Sequence, residues 1–290
     1  MPHSHHRGRL PYIERDESWM YFNKRILLEA TRTDLPLLER FNYLGIYSNN
    51  LDEFFRVRVA SLRRIVGSLE PIPTHERRKA KETLRTIIRL NHEYSALFDR
   101  TFADLLQSLN EAHIHIINEQ ELTTDQEDEV LSFFMDKING ITNPIFINSP
   151  TFRPEQHLKE SLYLVVVLWH EQGEEELAHD VALLEVPTKE LGRFLRLRDK
   201  DGESYLMFLD DVLRYCLPYI FIGREYAQYE AYTFKFTKDA EFELEQDLRS
   251  SVIEMVSRGV KRRGRGEAVR VVYDEALSPE ILRRLSDMAE

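Results

Sequence analysis

Apolar residues in the first third of the chain recur at intervals of three, four and seven. Leu37, Phe41, Leu44, Leu51, Phe55, Leu62 and Val66 form the stripe of an amphipathic helix. The stripe is interrupted at Ser48-Asn49-Asn50, whose short polar side chains compete with the backbone for hydrogen bonds and favour caps. Asn50 and Glu53 have the spacing of a capping box, and Asp52 and Glu53 would lie in a first turn, where the helix dipole favours negative charge. The pattern predicts two helices meeting at a polar corner, with Arg56 and Arg58 one to two turns into the second. Upstream, Ser18 is placed to cap a helix that runs to Ala30. Its face of Trp19, Phe22, Ile26 and Ala30 is assigned to the core. After a break at 67–73 (GSLEPIP), a long helix is predicted over 74–109, striped by Leu84, Ile87, Leu90, Tyr94, Phe98, Phe102 and Leu105.

The periodicity changes near residue 110. A short strand is predicted at 114–118, then a helix capped by Thr123 or Thr124 and reaching about 139. Strands follow at 162–169, 181–186 and 204–209, then a helix over 210–221. The aromatic-rich segment 229–236 alternates strictly and reads as a strand. A helix capped by Asp239 to about 258, a strand at 268–273 and a helix opened by Ser278-Pro279 complete the chain. The expectation is an α+β protein: an all-helical N-terminal domain (1–110), then an α+β domain (111–290) with a mostly antiparallel or mixed sheet.

Composition narrows the function. The net charge of −11 over 290 residues argues against a general nucleic-acid binder. It also means that a polyanionic ligand would need local basic patches. Two stretches qualify, Arg77–Lys81 and Lys261–Arg265, each of which also reads as a solvated surface. The single cysteine, Cys216, rules out an intrachain disulfide and fits a reducing cytosol. The longest apolar run, 162–169, is far short of the roughly 20 residues that span a bilayer. The histidines of the first six residues read as a loose tail.

Ser48-Asn49-Asn50-Leu51-Asp52-Glu53-Phe54-Phe55-Arg56-Val57-Arg58 resembles a signature near the start of the long-form bacterial polyphosphate kinases. The likeness extends upstream through Tyr12-Ile13-Glu14-Arg15, Ser18-Trp19 and 22–30 (FNKRILLEA). It reappears downstream at 232–241 (YTFKFTKDAE). It implies a helical N-terminal domain and a second, "head" domain used in dimerisation. It also implies an enzyme that reversibly transfers the terminal phosphate of ATP to polyphosphate through a phosphohistidine, with Mg²⁺. ATP/ADP and polyphosphate are its implied partners, as a homodimer or homotetramer. The expected location is cytoplasmic, with membrane association left open. The second asparagine of the signature, here Asn50, is implied to contact ATP, and Arg58 is the next position to test. Two residue-level departures stand out: Glu17 replaces the usual leucine before Ser-Trp, and Thr151-Phe152-Arg153 replaces Pro-Phe-Pro.

No catalytic residue is assigned in this chain. His157-Leu158-Lys159 has the His-x-Lys spacing of the family's catalytic motif, but Leu164 stands where an aspartate belongs. His113 and His115 share one face of a short strand at a spacing that can bind metal, with no third ligand nearby in sequence. The nucleophile is therefore expected beyond residue 290, in a longer protein of which this is a fragment, and so are the Mg²⁺ ligands. The alternative is a stand-alone, non-catalytic binding or dimerisation module. For Asn50 itself two roles stay open. It could cap a helix, or it could read a nucleotide with its amide beside free backbone N–H groups.

Overall fold

A computed structural model describes residues 12–68, 71–147, 152, 160–170, 179–224, 226–239 and 268–289. The chain forms two compact units, Met1–Leu105 and Leu106–Glu290. The helix expected after Asp239, the basic stretch Lys261–Arg265 and His157-Leu158-Lys159 lie outside the described residues.

The first unit is helical. Helix α1 spans Arg15–Ala30, α2 Leu37–Phe54, α3 Ala60–Gly67 and α4 Thr74–Glu111, the last crossing into the second unit. Glu14 caps α1, its carboxylate accepting the Asp16 N–H at 2.6 Å, so the helix starts before the Ser18 expected to cap it. The corner expected at Ser48-Asn49-Asn50 does not form. Helix α2 runs through it and passes by a π-helical turn, Phe55–Val59, into α3. Asn50 is thus neither a cap nor beside free N–H groups. Burial of Leu44, Tyr47, Leu51 and Phe54 along one face supplies what asparagine's weak helix propensity does not.

Helix α1 corrects a second expectation. Its buried face is Asp16, Met20, Asn23, Leu27 and Ala30. Trp19 and Ile26 are only half-buried, and Phe22 is 53 % exposed. The stripe is rotated by one position from the one predicted, because two of its members are polar. Helix α4 packs through Ala80, Ile87, Leu90, Tyr94 and Leu105. Lys24 reaches across from α1 to Glu93 at 3.0 Å and lies over the Tyr94 ring at 4.8 Å. Burial pushes the Tyr94 hydroxyl up to about 12.

The second unit holds two sheets. Strands β1 (Ile114–Ile117), β6 (Ser204–Phe208) and β5 (Phe194–Arg196) form a mixed three-stranded sheet of order β1-β6-β5, with β1 and β6 parallel. The second is an antiparallel five-stranded sheet of order β2-β4-β3-β7-β8. It comprises β2 (Ile145–Phe146), β3 (Leu162–His170), β4 (His179–Glu185), β7 (Tyr226–Lys238) and β8 (Ala268–Tyr273). Strand β3 lies at its centre and is buried on both faces, which explains its unbroken apolar run. Leu164, Val166 and Leu168 enter one core with Val130, Phe134, Ile138 and Phe221. Tyr163, Val165 and Val167 enter the opposite core with Phe234, Phe236, Leu277 and Ile281.

Helix α5, Thr124–Phe133, begins with the expected cap: the Gln126 side chain accepts the Thr123 N–H at 3.0 Å. The helix predicted over 210–221 is two pieces, Leu209–Tyr215 and Leu217–Ile220, hinged at Cys216. Cys216 is fully buried, and desolvation pushes its thiol up to about 12. Truncating a β3 side chain that enters a core leaves a cavity in a close-packed layer. We expect Leu164→Ala to cost about 2–5 kcal/mol in urea unfolding followed by circular dichroism; a loss below about 1 kcal/mol would contradict the two-core arrangement.

Candidate functional site

The signature residues converge on one helix. Asn50 sits on α2 and donates from Nδ2 to Asn23 Oδ1 on α1 at 3.2 Å. Asn23 Nδ2 in turn donates to the Tyr47 carbonyl at 3.1 Å. Arg58 lies in the π-helical turn, where it grips Asp16 with Nε to Oδ1 at 3.0 Å and Nη2 to Oδ2 at 3.3 Å. Between Asp16 and Asn23 on α1, Trp19 stacks flat on Phe54 of α2, with ring centroids 4.0 Å apart and planes 4° from parallel. At the far end of α1, Arg40 Nε donates to the Ala30 carbonyl at 2.9 Å and satisfies a C-terminal orphan acceptor.

Arg15, Asp16, Ser18, Trp19, Phe22 and Arg58 line an open hollow of about 460 Å³. It pairs aromatic faces with guanidinium groups, a chemistry suited to a ligand that carries both a flat ring and negative charge. Burial, with Glu14 nearby, pushes the Asp16 carboxyl above its ordinary value, against the pull of Arg15. Asn50 does not line the hollow; it stands one helical turn before Phe54. The structure thus brings Asn50 and Arg58 to the same face of α1 through Asn23 and Asp16. Sequence reasoning passed over those two partners and the hollow-facing role of Trp19. The available signal was the i, i+3, i+4 spacing of Asp16, Met20, Asn23 and Leu27, a buried stripe hidden by its polar members.

The other candidates fare differently. Arg77 of the first basic stretch donates from Nη2 to the Ser68 carbonyl at 2.8 Å, a structural bond at the start of α4. His113 and His115 meet a partner remote in sequence. His113 Nδ1 lies 2.8 Å from Glu203 Oε1, and His115 Nε2 lies 2.6 Å from Oε2. Hydrogen bonds from His115 and His113 hold the Glu203 carboxyl below the usual carboxylate range. Among the described residues no group of three or more His, Cys, Asp or Glu is placed to hold a metal ion.

Arg214 anchors a second cleft, of about 640 Å³, bounded by Tyr215, Tyr229 and Tyr232. Its Nε donates to the Ala231 carbonyl at 3.1 Å, its Nη2 to Thr233 Oγ1 at 2.7 Å, and its Nη1 to Asp211. The aromatic residues of this region divide between core and surface. Phe221, Phe234 and Phe236 are core, whereas Tyr219 is 39 % exposed.

The comparisons assign a class and then a family. A family model described as the polyphosphate kinase N-terminal domain matches residues 12–117, and one described as the polyphosphate kinase middle domain matches 125–290. Both describe parts of one phosphate-transferring enzyme class. The polyphosphate kinase of Yersinia pestis is 34 % identical over 280 residues, covering 94 % of this chain and 39 % of its own length. That of Escherichia coli K12 is 33 % identical over 284 residues, covering 95 % and 40 %. The crystal structure of the Porphyromonas gingivalis polyphosphate kinase superposes with a TM-score of 0.73 at 28 % identity, covering 96 % of this chain and 37 % of that one. The chain belongs to the polyphosphate kinase family. It spans about two fifths of the length of the curated relatives it matches.

Among the described residues no helix is long and apolar enough to cross a membrane. One pH effect follows from the second cleft. Burial, reinforced by Asp210 and Glu119 and opposed by Arg214, raises the Asp211 carboxyl to about 6. A raised folded value means that this stability is fully present below the unfolded carboxylate range, near ~3.9, and is lost as pH rises through the folded value. We therefore expect the wild type to lose ground against Asp211→Asn between about pH 4 and pH 6, read from urea midpoints. A pH-independent difference would contradict it.

Proposed function

We propose that this chain is the nucleotide-facing and self-associating part of a polyphosphate kinase, one that transfers the terminal phosphate of ATP reversibly to polyphosphate. The observation that supports the reading is the placement of Asn50 and Arg58 against one face of α1, beside a hollow of Trp19, Phe22 and guanidinium groups. A nucleotide offers a ring to stack and phosphates to pair, and a half-buried amide can read its polar edge. The global charge of −11 repels such a ligand, so the local guanidinium groups of Arg15 and Arg58 carry the attraction. Self-association is the second part of the proposal. It is supported by the family resemblance and by exposed Tyr219, since tyrosine is enriched at interfaces.

Phosphoryl transfer needs a nucleophile, clamping cations and a metal. We assign neither the nucleophile nor the metal ligands to the described residues, and we place Mg²⁺ with ATP rather than on this chain. This chain with ATP and Mg²⁺ is therefore expected to yield neither polyphosphate nor phosphohistidine; labelled ATP followed into chains and into protein reads both. Robust turnover would redirect attention to the histidines present. Binding is the complementary test. ATP should bind the chain measurably in equilibrium dialysis, and Asn50→Ala should weaken it several-fold while the circular dichroism spectrum is unchanged. Unaltered affinity removes Asn50 from the site.

A further inference from the structure

Asn23 is 1 % exposed, and both ends of its amide are engaged. One end faces the main-chain carbonyl of Tyr47. A carbonyl oxygen only accepts, so the end turned to it must be the nitrogen. The oxygen of Asn23 therefore faces Asn50. It too can only accept, so Asn50 must turn in its own nitrogen, as the 3.2 Å contact has it. A backbone group of α2 thus dictates, through Asn23, which end of the Asn50 amide points inward. The end left over is Oδ1, and among the described residues no protein group donates to it.

We infer that Asn23 is a positioning residue that sets the polarity of Asn50, so that Asn50 presents an acceptor, and that the nucleotide group it takes is a hydrogen-bond donor. This rests on the reading of Asn50 as a nucleotide contact. A nucleotide offers such donors in two places, the 6-amino group of adenine and the ribose hydroxyls. A 6-oxo purine turns an acceptor to the same oxygen, and a deoxyribose leaves that oxygen without a partner. Either loss weakens binding by up to roughly ten-fold, the range for a partly buried unmade bond.

The polarity is testable without any ligand. Asn50→Asp places a carboxylate against the Asn23 oxygen, acceptor against acceptor. The melting midpoint should fall by about 3 °C or more near neutral pH. The clash raises the folded pKa of the new carboxyl, so the lost stability returns as pH falls and the protonated acid regains a donor. Asn50→Ala should show a deficit without that recovery. A deficit in Asn50→Asp that does not change between about pH 7 and pH 4 overturns the relay.

The donor is identified by competition among ATP, ITP, 2′-deoxy-ATP and 3′-deoxy-ATP on the wild-type chain. A several-fold weaker ITP points to the amino group, and a weaker deoxynucleotide to that hydroxyl. Asn23→Asp keeps the acceptor that orients Asn50, while setting a second acceptor against the Tyr47 carbonyl, and should keep the preference in the folded chain at reduced stability, whereas Asn23→Leu should abolish it. Equal affinities for all four nucleotides overturn the donor assignment. Failure to bind ATP, in a chain whose relay passes the pH test, overturns the nucleotide reading and the donor assignment with it, but leaves the polarity of Asn50 standing.

Discussion

The helical unit depends on a rule of desolvation: a polar atom taken out of water must find a partner. Helix α1 carries Asp16 and Asn23 on its buried face, and apart from the 3.6 Å approach of Arg15 to Asp16 their side chains look outside their own helix for partners. Their partners come from one continuous helix, Arg58 for Asp16, and Asn50 and the Tyr47 carbonyl for Asn23. These bonds set the register of α1 against α2. Sliding or rotating either helix by one residue would strand a buried carboxylate and a buried amide at once. An apolar stripe alone tolerates such slips more readily, because dispersion contacts are less selective than donor–acceptor pairs.

The same constraint explains where the sequence was legible and where it misled. Helices α1 and α4 followed from periodicity, and so did α2 apart from the corner expected at Ser48-Asn49-Asn50, which the helix runs through. The phase of α1 did not, because Trp19 and Phe22 look like core residues while Asp16 and Asn23 do not. Only the partners across the interface reverse that ranking, and those are 24 to 42 positions away in sequence. Asn50 was misread for a related reason. Its local preference is for a cap, and a tertiary bond overrode it. Arg58 was named from the signature, but its partner was invisible until the π-helical turn placed it.

In the second unit the strongest signals were the buried strands. The run in β3 could be read because both faces meet a core, and β8 has the bounds expected of it, 268–273. Strands β2 and β5, with two and three residues, carry too little pattern to register. The aromatic composition of β7 suits a docking surface as well as a core; Phe234 and Phe236 fill a core, which composition alone could not separate from the other. Glu203 as the partner of His113 and His115 depends on the parallel pairing of β1 with β6, a contact about 90 residues apart that no local motif announces.

Cys216 has a practical consequence. It is the single thiol of the 290-residue sequence, it is fully buried, and its proton is held to about 12. The thiolate is the reactive form, so alkylating and spin-labelling reagents find almost no native target while the fold is intact. A cysteine introduced at any exposed position would then be the one site modified. Distances and motions within this chain can be measured by site-directed probes without first removing a native residue from the core.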